Sequence, residues 1–395
     1  MYSVYKIQVK KNEYLDKVTT LSNNLYNFAL YNVRQFFFEN GEYLNYYGNY
    51  PLCKNNENYK QLYSQTAQQV LQQVDNSFKS FFKANKAYKK HPKKFLGKPK
   101  LPKYKEKGSK SIVTLPGQHL KIKNNYLIFP KSNYKLFLGE LKFNKIVEVK
   151  IKPYKTYYEI LITYENNVQY KKLETNENYI SIDLGIDNFV TITNNIGKKP
   201  ILVKGRRIKS VNQFYNKKKA KLMSNVKNKG NSNKLDQLTK NRNNKIENYI
   251  HNVSSFIVKY CLENNISNIV IGKNKNWKQE VNIGKQNNQN FVSIPHLSFI
   301  FKLQYKAQRH NINVILNEES YTSKCDALAI EDIKKKDEYF GKRIKRGLFK
   351  SKCGLINADI NGSLNILRKV IGNDFISLLN RGLVMNPEVI SYSFK

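Results

Sequence analysis

The chain has 395 residues, which is enough for two or three domains with sizeable hydrophobic cores. Lysine and arginine total 69 against 29 for aspartate and glutamate, so the formal net charge of +40 indicates a polyanionic partner, most simply a nucleic acid. No apolar run approaches the roughly 20 residues of a membrane-spanning helix, and the first residues lack a signal-peptide core. We therefore expect a cytoplasmic protein without a membrane partner.

The first third of the chain predicts one strand and two long helices. Residues 2–10, YSVYKIQVK, alternate as a strand does. Apolar residues at spacings of three and four then run from Leu15 to Phe36, which predicts an amphipathic helix. A second helix with one apolar stripe is predicted from about Ser64 to Lys83.

The segment from Lys86 to Lys110 is dense in lysine and also contains proline, glycine and two tyrosines. Two interpretations of it remain open. It is a solvated linker, or it is an arm that tracks a nucleic-acid strand, with Lys98, Lys100 and Lys103 on phosphates and Tyr104 stacked on a base.

Residues 111–170 change to a strand pattern. The stretch LKIKNNYLIF predicts a hairpin that turns at Asn124 and Asn125, and KIVEVKIKPYKTYYEILITYE predicts two further strands. We expect a small β-barrel here that includes the N-terminal strand.

A third pattern begins at Asn178 with NYISIDLGIDNFVTITNN. It predicts a three-strand meander at about 179–186, 188–194 and the stretch PILVKG. Helical segments then alternate with two short strands, SNIVIG and INVILNEE, before a last helix that begins near INADIN. A meander followed by alternating helices and strands predicts an α/β arrangement, in the order of the RNase-H-like fold.

Acidic residues stand at three places in this third region that could meet at one side of its sheet. Asp183 lies on the first strand, opposite its apolar face, Glu318 and Glu319 follow the strand NVILN, and Asp359 precedes the last helix. Carboxylates that converge on two divalent ions roughly 3.5–4 Å apart are the site of a two-metal nuclease. Taken singly, Asp359 would be a helix N-cap and the glutamates would be surface residues.

Three motifs in this order, ISIDLGIDNFVTI, EESYTSKC and INADINGSLNI, resemble the RuvC nuclease domain of TnpB proteins. These are transposon-encoded RNA-guided endonucleases related to type V CRISPR effectors. The stretches AQQVLQQVDNSFKSFF and GKPKLPKYK resemble the N-terminal half of the same family, so the likeness extends over most of the chain. The resemblance implies two Mg²⁺ ions, with Asp183 as the first metal ligand and Asp359 as the last.

The chain departs from the family pattern at the second ligand. The family's glutamate usually follows the strand that corresponds to SNIVIG, where this chain has Gly272. Some relatives place the glutamate near the Thr-Ser-Lys motif, and Glu319, three residues before Thr322, matches that arrangement best, with Glu318 in reserve. We therefore expect Asp183, Glu319 and Asp359 to be the catalytic residues and the metal ligands.

A second departure concerns cysteine. Family members commonly carry two Cys-x-x-Cys pairs between these motifs, whereas this chain has Cys325 and Cys353 alone there. A closed zinc site needs four ligands, so we expect no structural zinc. The other cysteines, Cys53 and Cys261, lie far away in sequence, which is typical of a reduced compartment without a disulfide framework.

These observations predict a multi-domain α+β protein. A wedge-like β-barrel domain would comprise residues 1–10 and 111–172, and a helical recognition domain with the basic arm would comprise residues 11–110. Residues 173–395 would form the RNase-H-like (RuvC) α/β nuclease domain.

A basic insertion at residues 326–352 interrupts the predicted nuclease domain. It is either a solvated loop or a flap that contacts the substrate strand through Arg343, Lys345 and Arg346.

We expect an endonuclease of a transposable element that uses a guide RNA derived from the transposon end. It would cut double-stranded target DNA next to a short flanking motif, as a monomer, in the prokaryotic cytoplasm and in association with the nucleoid. Two alternatives remain open. One is a nuclease-inactive, RNA-guided DNA-binding repressor, which Gly272 favours, and the other is a DNA transposase that needs no guide.

Overall fold

A computed structural model describes residues 1–141, 143–224, 232–274 and 294–392 of the chain. The chain divides into two compact units, Met1–Val168 and Gln169–Lys395. Both units combine helices and strands, so the protein is a mixed α+β protein. Within the described ranges no helix is long and apolar enough to cross a membrane.

The helices of the first unit are α1 (Glu13–Asn40), α2 (Tyr46–Cys53), α3 (Glu57–Gln61) and α4 (Ser64–Lys90). Their apolar faces pack into one core, with Leu25 and Phe78 fully buried. The N-cap of α1 is Asn12, whose side chain accepts a hydrogen bond from the amide of Tyr14. Helix α4 continues past the predicted end at Lys83, because no helix breaker occurs before Pro92.

The strands of the first unit are β1 (Tyr2–Lys10), β2 (Val113–Pro116), β3 (Lys121–Lys123), β4 (Tyr126–Ile128), β5 (Lys135–Phe137), β6 (Ile146–Pro153) and β7 (Tyr157–Glu165). They form a four-stranded sheet in the order β1-β7-β6-β2 and a three-stranded sheet in the order β3-β4-β5. Strand β1 pairs antiparallel with β7 along its whole length. The turn between β3 and β4 holds Asn124 and Asn125 at φ 50° and 62°, which asparagine tolerates in hairpin turns.

The strands of the second unit are β8 (Tyr179–Leu184), β9 (Asn188–Asn194), β10 (Ile201–Lys204), β11 (Asn268–Gly272), β12 (Asn313–Asn317), β13 (Lys342–Lys345), β14 (Leu348–Ser351), β15 (Gly354–Asn357) and β16 (Glu388–Ile390). Six of them form one sheet in the order β12-β11-β8-β9-β10-β16. Strands β8, β9 and β10 are an antiparallel meander, and β11 runs parallel to both β8 and β12. Strands β13, β14 and β15 form a separate antiparallel sheet.

The helices of the second unit are α5 (Arg206–Ser224), α6 (Asn233–Glu263), α7 (His296–Gln308), α8 (Ala358–Ile371), α9 (Asp374–Ser377) and α10 (Arg381–Met385). Helices α5 and α6 account for the predicted long helical stretch, whose residues 225–231 lie outside the described part of the chain.

The central sheet has a different cover on each face. Ile180 and Ile182 of β8 point into a core shared with apolar residues of α6 and α7. The opposite face of β8, which carries Ser181 and Asp183, is covered by α8. Ser181 is therefore fully buried, and the polar face of this strand is not a solvated one.

Candidate functional site

Asp183 lies on β8 in the middle of the central sheet and faces helix α8. A Cβ atom added at Gly362 of α8 would lie 2.9 Å from Oδ2 of Asp183. Such a contact is shorter than ordinary van der Waals contact, so the missing side chain at position 362 leaves the space that the carboxylate occupies.

Buried hydroxyl groups attach α8 to the sheet beside Asp183. The hydroxyl of Ser181 lies 2.6 Å from that of Thr193 and donates to the carbonyl of Ser363 at 2.7 Å. The Ser363 hydroxyl lies 3.0 Å from Ser181 Oγ and 3.1 Å from Thr193 Oγ1. These contacts fix the first turns of α8 on β8 and β9. Sequence reasoning missed them, and the Gly-Ser pair in INADINGSLNI is the one local signal that could have indicated a close helix–sheet approach.

Asp359 is in the first turn of α8 but does not cap the helix. The cap is Asn357, whose side chain accepts hydrogen bonds from the amides of Asp359 at 2.9 Å and Ile360 at 3.4 Å. The carboxylate of Asp359 instead accepts a hydrogen bond from Asn188 Nδ2 at 2.7 Å and one from Arg343 at 3.2 Å. The N-cap interpretation of Asp359 is therefore wrong, and Asn188 is a contact that sequence reasoning did not identify.

Glu319 follows β12 and turns its carboxylate over Gly272 on the neighbouring strand. A Cβ atom at position 272 would lie 2.6 Å from Glu319 Oε2 and 2.5 Å from Ile366 Cδ1. The backbone amide of Glu319 donates to Asn274 Oδ1 at 3.1 Å. The space beside Gly272, where the family pattern has a glutamate side chain, is thus taken by the carboxylate of Glu319.

Glu318 points elsewhere, as expected for consecutive residues in an extended segment. Its side chain is 57% exposed and forms an ion pair with Lys369 at 3.2 Å. Of the two neighbouring glutamates, Glu319 is the one that lies beside Gly272.

The three acids influence one another electrostatically through Asp183. Burial raises the pKa of Asp183 well above its usual range, and the charges of Asp359 and Glu319 raise it further, while Arg343 opposes them. Burial also raises the pKa of Glu319 to about 7, with a contribution from Glu318. A cation placed among these carboxylates would relieve both effects.

Carboxylate oxygens are the ligands that Mg²⁺ prefers in proteins, so the chemistry of Asp183, Glu319 and Asp359 fits this ion. In the described part of the chain, however, no group of three histidine, cysteine, aspartate or glutamate side chains is arranged to hold one metal ion. Both oxygens of Asp359 are engaged, one by Asn188 and the other by Arg343.

A cavity of about 530 Å³ opens beside Asp359 and is predominantly basic. Its charged lining residues are Asp187, Lys204, Arg206, Lys209, Arg343, Arg346 and Asp359. Asp187, in the turn after β8, pairs with Arg346 at 2.6 Å and Lys209 at 3.3 Å. The cavity can thus accept anionic groups next to the acidic residues.

The last part of the basic insertion is a β-hairpin, β13 and β14, that pairs with β15 just after the insertion, whereas residues 326–341 contain no strand. The turn between β13 and β14 includes Gly347 at φ 82°, a conformation that favours glycine. Arg343 and Arg346 from this hairpin pair with Asp359 and Asp187, whereas Lys345 is exposed between them.

Cys325 and Cys353, which flank the insertion, lie near two buried carboxylates, Asp326 and Glu331. Asp326 is fully buried and accepts hydrogen bonds from the hydroxyl of Ser351 at 2.7 Å and the amide of Lys352 at 2.8 Å. Glu331, which is 1% exposed, accepts from the amide of Asp326 at 2.8 Å. The thiol of Cys325 donates to the carbonyl of Asp332 at 3.4 Å.

In the first unit, the residues predicted to contact nucleic acid are Lys98, Lys100, Lys103 and Tyr104, and all four are exposed. Tyr104 makes a cation–π contact within the protein, because the guanidinium of Arg34 lies 5.2 Å from its ring centroid.

The C-terminal part of this basic segment is attached to α1. Asn27 donates to the carbonyl of Lys105 at 2.9 Å and accepts from its amide at 2.8 Å. Arg34 donates to the carbonyl of Pro102 at 2.8 Å. From Pro102 onward the segment is therefore irregular in structure but attached to α1, and it is not a free linker. Lys86–Lys90 belong to α4.

Two family models match consecutive parts of the chain. Residues 160–278 match the family model OrfB_IS605, described as "Probable transposase", and residues 296–366 match the model described as "Cas12f1-like, TNB domain". The chain is 26% identical over 400 residues to the TnpB-like protein ORF457 of Acidianus two-tailed virus, an alignment that covers 91% of this chain and 83% of that protein. Its fold is similar to that of a protein in the cryo-EM structure of the Cas12f1-sgRNA-target DNA complex, with a TM-score of 0.56, 14% identity, and coverage of 90% of this chain and 82% of that chain.

Proposed function

We propose that this chain, which belongs to the TnpB family of transposon-associated nucleases, is an RNA-guided endonuclease that cuts double-stranded DNA. What supports this most is the position of the three acids around α8 and the central sheet: Asp183 faces α8, Asp359 is in the first turn of α8, and Glu319 lies against Gly272 on the strand next to that of Asp183. The strand order β10-β9-β8-β11-β12, a meander followed by two parallel strands, supports the RNase-H-like (RuvC) assignment of the second unit.

Asp183, Glu319 and Asp359 would hold the catalytic Mg²⁺. Two such ions would activate a water molecule and stabilise the leaving oxygen of a phosphodiester. Asn188 would orient the carboxylate of Asp359 by its hydrogen bond.

Cations around the cavity beside Asp359 would bind the backbone of the substrate strand. Lys204, Lys209 and Arg346 line this cavity and can pair with phosphates. Phosphate contacts position a strand without reading its sequence, which agrees with a role in which base pairing to a guide supplies the specificity.

The proposed partners are a guide RNA from the transposon end and a double-stranded target DNA. The net charge of +40 supports extended contacts with nucleic acid. In the first unit, the exposed residues Lys98, Lys100, Lys103 and Tyr104 would contact a nucleic-acid strand. The protein of similar fold was solved with an sgRNA and target DNA.

A second candidate function is a nuclease-inactive, RNA-guided DNA-binding repressor. The ion pair between Arg343 and Asp359 favours it, because it neutralises one of the three acids. The arrangement of the described acidic side chains, which lacks a ready metal-binding group, favours it as well.

The experiment that tests the proposal uses the protein with its guide RNA and a library of plasmids. Each plasmid carries the matching target next to one sequence of a randomised flanking motif. We expect linear plasmid in Mg²⁺ and intact plasmid in EDTA or with a mismatched guide. Guide-dependent binding without cleavage in Mg²⁺ would establish the repressor function instead. Cleavage that persists after removal of the RNA would indicate a transposase.

A further inference from the structure

A second cavity, of about 460 Å³, lies between α5 and α6 and shares no residue with the acidic site. Val211, Phe214 and Leu238 form its apolar floor, and Arg207, Arg242 and Lys245 stand around it. All of the charged side chains among its described lining residues are cationic. Val211 also packs against the apolar core of the unit, and the proposed cleavage reaction does not use this cavity.

Phe214 presents an exposed aromatic face at this cavity. Its side chain is 58% exposed, and the ammonium group of Lys218 lies 5.8 Å from its ring centroid. A large aromatic ring left in solvent and bordered by cations is the arrangement that single-strand-binding proteins use to stack bases.

The cationic side of the cavity is held in place. Arg242 donates to Asn212 at 2.8 Å, and its guanidinium lies 5.5 Å from the ring centroid of Tyr215. The Tyr215 hydroxyl lies 3.1 Å from Thr239 Oγ1 on α6. Because these contacts orient Arg242 before any ligand arrives, binding an anion there requires little ordering of that side chain.

Helix α5 connects this cavity with the cavity beside Asp359. Arg206 and Lys209 line the acidic-site cavity, while Arg207, Val211 and Phe214 line the second one. From Arg206 to Phe214 the helix rises about 12 Å. A strand that leaves the acidic site along α5 would therefore reach Phe214 within a few nucleotides.

The charge of α5 supports an anionic ligand along its whole length. Its cationic residues are Arg206, Arg207, Lys209, Lys217, Lys218, Lys219 and Lys221, and its sequence contains no aspartate or glutamate. A nucleotide fits both the apolar and the cationic residues of the cavity. Its flat base can stack on the aromatic ring, and its phosphate can pair with the cations.

We infer that this cavity binds an unpaired base of the DNA strand that is cut at the acidic site, stacked on Phe214, with a neighbouring phosphate on Arg207. The base must be unpaired, because a base inside a duplex keeps both faces stacked on its neighbours. This inference rests on the proposed function, since it takes the ligand to be the substrate strand.

The test uses the complete protein–RNA complex in EDTA, so that binding is measured without cleavage. The probe is an oligothymidine DNA strand with one 2-aminopurine, whose fluorescence is quenched when the base stacks on an aromatic ring. We expect Phe214→Ala to weaken binding roughly 5- to 100-fold and to remove the quenching, and Phe214→Tyr to preserve both. Phe301→Ala is the matched control, because Phe301 is 66% exposed on α7 and lines neither cavity.

The phosphate contact is tested by salt dependence. We expect Arg207→Gln to reduce the slope of log affinity against log salt by about one, and Lys199→Gln, in the exposed turn before β10, to leave it unchanged.

Unchanged quenching in Phe214→Ala would overturn the inference, and so would an equal loss in Phe301→Ala. If Phe214→Ala weakened the binding of an RNA strand of the same length but not the binding of DNA, the cavity would be an RNA site. That result would also overturn the inference. Failure of the proposed function is distinguishable, because it would appear as intact target plasmid in Mg²⁺ and would leave the EDTA binding data unaffected.

Discussion

Gly272 and Glu319 act together in the second unit. The carboxylate of Glu319 fills the volume that a side chain at position 272 would need. A glutamate side chain at position 272, the last residue of β11, would meet the carboxylate of Glu319 where it now lies. The glycine therefore leaves the space in which the carboxylate of Glu319 lies against β11, the strand next to that of Asp183.

A direct consequence concerns Gly272→Ala. The added methyl group would lie 2.6 Å from Glu319 Oε2 and 2.5 Å from Ile366 Cδ1, so the carboxylate must move. We expect guided cleavage to slow roughly 10- to 100-fold, because small displacements of catalytic groups have large kinetic effects. Gly97→Ala is the control, since a Cβ atom there meets nothing within 4 Å. A cleavage rate in Gly272→Ala equal to that of the control would contradict the role of this space.

The raised pKa of Glu319 predicts a pH dependence of stability in the absence of metal. Its pKa rises from the ordinary 4.5 to about 7, so the folded protein holds this proton more tightly than the unfolded chain does. Stability from this group is present below about pH 4.5 and is lost as the pH rises toward about 7. We expect the Tm difference between Glu319→Gln and the wild type, measured in EDTA, to shift in favour of the variant as the pH rises through this window. A difference that is constant with pH would contradict the burial of this carboxylate.

Among the elements, the β13–β15 sheet is stabilised by the carboxylate of Asp326. Asp326 accepts hydrogen bonds from the Ser351 hydroxyl and the Lys352 amide, and its removal would leave these donors without their partner. A buried donor left unsatisfied costs about 1–3 kcal/mol, and the Ser351 hydroxyl is buried, so Asp326→Ala should lower the free energy of unfolding by about that amount. Asp332→Ala is the control in the same segment, because its side chain is 72% exposed. Equal thermal unfolding of the two variants would argue against this network.

The same insertion leads us to predict a protein without stoichiometric zinc. Cys325 donates its thiol hydrogen bond to a backbone carbonyl, and Cys353 does so to the carbonyl of Leu328 at 3.7 Å. Metal analysis of the purified protein should find well below one zinc per chain. One zinc per chain that disappears in Cys325→Ser or Cys353→Ser would show that these cysteines do bind the metal.

Strong periodicity made parts of the fold predictable from sequence. The meander and helix α8 follow from alternation and from helical spacing, which are local properties of the chain. Contacts between distant residues were not predictable in this way. The Asn357 cap and the ion pair between Arg343 and Asp359 depend on side-chain geometry, and the attachment of Lys105 to Asn27 joins residues far apart in sequence.

In the candidate site, too, some residues could be predicted from the sequence and others could not. Motif order was enough to select Asp183, Glu319 and Asp359. Asn188 acts through a contact that forms after β9 and α8 have packed, so no local pattern indicates it, and the Gly-Ser pair at Gly362 indicates a close helix–sheet approach but not its partner Asp183.

For the whole molecule, the charge of +40 predicts that RNA remains bound during purification at low salt. Each neutralised phosphate releases counterions, so affinity should fall steeply with salt, by roughly 10³- to 10⁵-fold between 50 and 200 mM for 6–10 phosphate contacts. Filter binding of the co-purified RNA over a salt series measures this slope. Protein that is free of nucleic acid at low salt would contradict an RNA partner.

The central claim is that Asp183, Glu319 and Asp359 form one catalytic metal site. Its most direct test is the guided cleavage of plasmid by the three single alanine variants, with Glu318→Ala as the control because that side chain pairs with Lys369. We predict that each of the three variants loses cleavage while guided DNA binding persists, since affinity comes from backbone contacts and base pairing. Glu318→Ala should still cut. Cleavage by Glu319→Ala at the wild-type rate would contradict the account.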